Sequence, residues 1–161
     1  MELEKSLNQG KLCLYLKMNR IYGWLPDIKD SSTISSPAIE CRGTNEFDRE
    51  ALGPVRYFPE ISGPDGKKYG SISNNYFPYL KVKNYQAPLV AVQFPNITRN
   101  TVVLVECRLV GLKNSDGSTN FEVLIGIKKG KRLKLLGSID EYQSCINALI
   151  NQEAAHSKFI L

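Results

Sequence analysis

From Val55 to Leu136 the chain repeats one arrangement: a short apolar or alternating run, then a cluster of Gly, Pro, Asn or Asp. Runs at 55–58, 79–85, 88–94, 101–112, 121–127 and 132–136 are punctuated by Gly63-Pro64-Asp65-Gly66, Asn114-Ser115-Asp116-Gly117 and Lys128-Lys129-Gly130-Lys131. In such turns proline presets φ at the first corner and glycine accepts a positive φ at the exit. At 79–85, Leu80 and Val82 alternate with Lys81 and Lys83, a period of two that predicts one buried and one wet strand face. Residues 11–17 add a lysine-flanked apolar run that also reads as a strand. Closely spaced strands of this kind build an antiparallel sandwich or barrel.

Only the end of the chain reads as helical. Ser138-Ile139-Asp140-Glu141 has the capping-box pattern. Ile139, Tyr142, Ile146, Leu149 and Ile150 then share one helical face, which predicts a helix over 138–155. The glycine-bounded stretch 43–54 is charged and reads as a surface loop with one helical turn, and the polar 31–37 segment as a hinge. From these residues the expectation is an all-β fold, an antiparallel sandwich or barrel with one C-terminal α-helix.

A chain of 161 residues suits one domain. Its formal charge of +5 and pI near 9.0 are compatible with a polyanionic partner. Cys13, Cys41, Cys107 and Cys145 form no CxxC pair and His156 is the single histidine, which argues against a metal site. Residues 1–6 lack the basic and apolar regions of a secretory leader, and no apolar run approaches the roughly 20 residues of a membrane helix. These features predict reduced thiols in an intracellular protein with no membrane partner. In that setting the sequon Asn96-Ile97-Thr98 is accidental, because a glycan needs the secretory route. No GxSxG, Walker or GxGxxG motif is present, His156 lies in a polar terminal stretch, and Asp140-Glu141 suits a helix N-terminus. No enzyme activity and no cofactor is expected.

Two groups of residues could carry binding. The turn containing Lys128, Lys129, Lys131 and Arg132, with Lys134 beyond it, concentrates cations at an exposed hairpin tip. They could reach nucleic-acid phosphates, or equally keep a solvated sheet edge from aggregating. Lys67, Lys68, Lys81 and Lys83 could extend that basic surface. The second group is Arg56, Tyr57 and Glu60. By itself this trio reads as an ordinary strand with a surface ion pair, although an arginine beside a tyrosine can also fork onto a guanine edge.

Four landmarks bear on that choice: Arg56-Tyr57-Phe58-Pro59-Glu60, Asn84-Tyr85-Gln86-Ala87-Pro88, Leu109-Val110-Gly111 and Asp116-Gly117. Their order and spacing resemble the N-terminal DNA-binding half of a Rel homology domain, the domain of the NF-kappa-B/Rel transcription factors. The resemblance covers roughly 37–152. Pro54 stands where that family has a first arginine and Pro59 where it has a redox-sensitive cysteine; its second, dimerisation domain has no counterpart. The resemblance implies an antiparallel immunoglobulin-like β-sandwich of the Rel/p53 kind over 37–161, preceded by an extension at 1–36, acting as a DNA-binding transcription-factor domain, or as a truncated regulator of Rel-type transcription, in the nucleus or cytoplasm. Double-stranded DNA would be the partner, contacted by Arg56, Tyr57 and Glu60 at bases and by Lys128, Lys129, Lys131 and Arg132 at phosphates. A Rel-type or other protein could be a second partner. The competing readings with the same architecture are a non-enzymatic interaction or decoy module and a small viral matrix or coat protein.

Overall fold

The computed structural model describes residues 12–29, 34–113, 117–126 and 158–160. Nine strands and one short helix occur among them: β1 (Leu12–Lys17), β2 (Ala38–Gly43), α1 (Glu46–Leu52), β3 (Arg56–Phe58), β4 (Glu60–Ser62), β5 (Lys68–Ser71), β6 (Leu89–Phe94), β7 (Val102–Val110), β8 (Ser118–Leu124) and β9 (Lys158–Ile160). A four-stranded sheet has the order β3-β6-β1-β9 and a five-stranded sheet the order β4-β5-β2-β7-β8. All pairings are antiparallel except β1 with β9. The all-β expectation holds. The predicted hairpin at 128–131, its return strand at 132–136 and the helix at 138–155 lie outside the described residues.

The two sheets share one core. Leu14, Leu16, Val90, Val92, Phe94 and Tyr57 come from the four-stranded sheet; Ile39, Cys41, Val103, Val105, Cys107 and Val123 come from the other. On the four-stranded sheet the opposite face is buried too, around Cys13, Tyr15 and Ala91 with Phe58 and Leu89 against them. That double burial explains why β1 and β6 read as continuous apolar runs, whereas β7 alternates Val103, Val105 and Cys107 inward with Val102 and Leu104 outward. Residues 12–17, set apart from the domain in the sequence-based division, thus supply a strand buried on both faces.

Helix α1 forms where a loop with one turn was expected. Asn45 caps it by accepting from the Asp48 amide at 2.8 Å. Asp48 is itself buried, and its carboxylate accepts from the Thr44 hydroxyl, the Asn45 side chain and the Leu104 amide. One carboxylate so ties the helix start to β7, and no local period announces that long-range bond.

Three further expectations change. The thiols are not reduced: Cys41 and Cys107 are directly opposed on β2 and β7 and joined by a disulfide, Cys13 is also disulfide-bonded, and no described cysteine is free. Disulfides form and persist in oxidising compartments, which removes the basis for the intracellular reading and for dismissing the Asn96 sequon. The 79–85 stretch is not a strand: it is irregular chain with φ of 55° at Lys81 and 66° at Asn84, values that interrupt an extended run. And Leu80 and Val82, predicted to face inward, are exposed.

Candidate functional site

The irregular chain at 76–85 and the segment at 20–25 lie side by side. Tyr22 bridges to Tyr79, and the Gly23 amide donates to the Tyr79 carbonyl at 3.0 Å. Gly23 sits at φ 69°, a left-handed turn that glycine adopts without a Cβ penalty. Beneath them Trp24 and Phe77 meet edge to face with centroids 5.1 Å apart, and both pack on the main core. The pair anchors the two segments.

Above that anchor the surface is apolar. Six of the ten exposed large hydrophobics among the described residues fall here: Ile21, Tyr22, Leu25, Tyr76, Leu80 and Val82, from 40% to 65% exposed. Scattered exposed apolar residues are ordinary, but this concentration on two adjoining segments marks the platform as the candidate site. Cations are fixed across it. The Arg20 guanidinium lies 5.9 Å from the Tyr79 ring centroid and 5.7 Å from that of Tyr85, and those two rings are 4.7 Å apart. The Lys81 ammonium lies 5.4 Å over the Tyr22 ring. Such contacts hold a charge in place while leaving it able to meet an acceptor. The Tyr85 hydroxyl donates to the Tyr76 carbonyl at 3.1 Å, closing the loop on itself. Partial burial raises the Tyr85 pKa, against the lowering effect of Arg20, so the phenol stays a neutral donor.

The residues expected to bind DNA are arranged differently. Arg56 is exposed on β3. Tyr57 points the opposite way, as strand alternation requires, and is 2% exposed. Its hydroxyl accepts from the Cys41 amide at 2.8 Å and donates to the Cys41 carbonyl. Burial raises its pKa strongly, partly offset by the Cys41 backbone bond. Glu60 pairs with Lys68 at 3.1 Å across β4 and β5. The fold therefore does not bring Arg56 and Tyr57 onto one surface. Lys128, Lys129, Lys131 and Arg132 lie outside the described residues. What sequence reasoning missed was the aromatic density of 76–85 and of Tyr22 with Trp24; Leu80 and Val82 were visible but assigned to an inner face.

Comparison with known proteins gives the family. Residues 4–125 match the family model described as sodium/potassium ATPase beta chain. The chain is 35% identical over 140 residues to the probable sodium/potassium-transporting ATPase subunit beta-3 of Caenorhabditis briggsae, covering 77% of this chain and 40% of that protein. It is 38% identical over 113 residues to the sodium/potassium-transporting ATPase subunit beta-2 of Rhinella marina, covering 66% and 36%. With the beta-1 subunit of Tetronarce californica the identity is 32% over 140 residues, covering 75% and 44%. The chain spans about two fifths of the length of these curated relatives.

These matches overturn the Rel resemblance, whose four landmarks were short and individually common. With it fall the transcription-factor function, the double-stranded DNA and Rel-type partners, and the nuclear or cytoplasmic location without a membrane partner. The decoy and viral-coat alternatives fall as well. A family model spanning three quarters of the residues outweighs four spaced fragments, and on that match the chain belongs to the sodium/potassium ATPase beta chain family.

Proposed function

We propose that this chain is the disulfide-bonded, non-catalytic part of a beta-type subunit, and that its aromatic platform docks it onto the ion-transporting subunit of a sodium/potassium-transporting ATPase. The family supplies the class of assembly, and the platform is the observation that carries the docking. Hot spots at protein interfaces are enriched in Tyr, Trp and Arg at the centre of a desolvated patch. Tyr22, Tyr79, Tyr85 and Arg20 meet that description, flanked by Ile21, Leu25, Leu80 and Val82. The disulfides suit the face of the membrane exposed to an oxidising compartment. The role is to bind and hold a partner, with no bond made or broken.

Co-expression with the transporting subunit and co-purification in mild detergent tests this. Tyr22→Ala with Val82→Asp changes two exposed side chains, and recovery of the complex is expected to fall by about tenfold or more. Arg56→Ala, exposed on β3 and in neither platform segment, serves as the control and leaves recovery unchanged. Equal recovery of the double variant would refute the platform as the docking face.

A further inference from the structure

A cavity of about 430 Å³ opens on the outer face of the five-stranded sheet. Its walls are Glu106, Arg108 and Val110 of β7, the following turn at Gly111, Ser118 of β8, and Lys29. The segment carrying Lys29 is held there by main-chain bonds: its amide donates to the Gly111 carbonyl at 2.9 Å, and the Lys113 amide donates to the Asp27 carbonyl at 2.8 Å. Ile28 bridges to Leu112 between them. The wall is thus built from three separate stretches of chain.

The charges in it are unevenly matched. Arg108 gives Nε and Nη2 to one oxygen of Glu40, at 2.9 and 2.6 Å, and a guanidinium has five N–H donors. Glu106 receives Arg42 on Oε2 alone, at 3.2 and 3.1 Å, so Oε1 has no bond from that pair. Lys113 is paired with Asp27 at 3.0 Å. Lys29 has no carboxylate partner among the described residues. The site therefore presents one uncompensated ammonium beside spare guanidinium donors, with a carboxylate oxygen and the Ser118 hydroxyl close by.

We propose that this cavity binds a monocarboxylate sugar acid, carboxylate on Lys29 and Arg108, hydroxyls on Glu106 and Ser118. The Lys29 ammonium and the spare Arg108 donors suit a carboxylate, while the open Glu106 oxygen calls for hydroxyl donors, which a sugar acid supplies on the same molecule. The volume falls within the range of small-ligand pockets. The test is a titration of the oxidised chain with D-glucuronate, followed through amide chemical shifts. Saturable shifts are expected at 108–112 and 118, with half-saturation on the order of millimolar. Lys29→Ala, a change at an exposed side chain, is expected to raise half-saturation about fivefold, the worth of one partly exposed ion pair. D-glucose is expected to give no saturable shift. Absence of saturation with glucuronate, an unchanged response in Lys29→Ala, or equal binding of glucose would overturn the proposal. Inorganic phosphate binding as well as glucuronate would also overturn it, reducing the site to a general anion site.

Discussion

Tyr57 shows how one side chain can link the two sheets. It enters the core from β3 of the four-stranded sheet and satisfies both backbone groups of Cys41 on β2 of the other. Tyr69, on β5, donates its hydroxyl to Asp65 at 2.8 Å, and burial followed by that bond pushes its pKa up to about 12. The same bond lowers the Asp65 pKa. A phenol whose folded pKa lies above its unfolded value of 10.0 contributes stability that is complete below pH 10.0 and is lost as pH rises toward 12. Tyr57 acts in the same direction, more strongly. Thermal unfolding should therefore be insensitive to this pair up to about pH 10 and fall steeply above it. Tyr57→Phe should show a shallower alkaline fall. At neutral pH it should lose about 1–3 kcal/mol, because the buried Cys41 amide is left without its acceptor. A variant with the same alkaline slope as the parent would contradict this account.

At the scale of elements, β2 and β7 are the centre of the five-stranded sheet, and three features join them. The disulfide links Cys41 to Cys107 on the inner face. On the outer face Glu40 opposes Arg108 and Arg42 opposes Glu106, each pair in direct register. Half-exposed ion pairs contribute little, on the order of 0–1 kcal/mol each. The disulfide closes a 66-residue separation and restricts the unfolded chain far more. Replacing both Cys41 and Cys107 by Ala should cost about 2–5 kcal/mol, read from the urea midpoint. Exchanging Glu40 and Arg108 for Gln should cost much less. A disulfide-free variant within about 1 kcal/mol of the parent would show that the sheet, and not the cross-link, sets stability. The α1 turn is equally constrained: a Cβ at Gly43 would overlap the backbone of Asp48 and Arg49, so only glycine lets β2 pass so close to the helix.

For the molecule as a whole, the oxidising compartment implied by the disulfides changes the standing of Asn96-Ile97-Thr98. Asn96 is exposed in the turn after β6, and Thr98 is exposed while its amide bonds to the Ala51 carbonyl at 2.7 Å. An exposed sequon on a secretory route is an acceptor for a glycan. Expression through the secretory pathway should give a product whose mobility shifts on endoglycosidase treatment. Asn96→Gln should abolish the part of that shift due to this site. No difference between parent and variant would show the sequon is not used.

Strand positions were legible in sequence wherever burial was simple. The runs that became β1, β6, β7 and β8 were located to within about three residues, β1 and β6 as continuous apolar runs buried on both faces, β7 and β8 as longer apolar-rich runs bounded by turn residues. Turn chemistry located the β4–β5 connection at Gly63-Pro64-Asp65-Gly66, where the Gly63 amide bonds to the Lys67 carbonyl at 2.8 Å. Three things were decided only by tertiary structure. Cysteine pairing depends on which strands neighbour each other, and Cys41 and Cys107 meet only once β2 and β7 are in register. The inward or outward aim of a short alternating run depends on what packs against it: at 79–85 the left-handed residues Lys81 and Asn84 break the strand and turn Leu80 and Val82 to the surface. The platform itself joins segments more than fifty residues apart, Tyr22 to Tyr79, and no local pattern carries information about that contact. Local chemistry thus determined an all-β chain and five of its nine described strands, β1, β3, β6, β7 and β8; β2, β4, β5 and β9, and with them the oxidised core and the aromatic platform, were decided by long-range pairing.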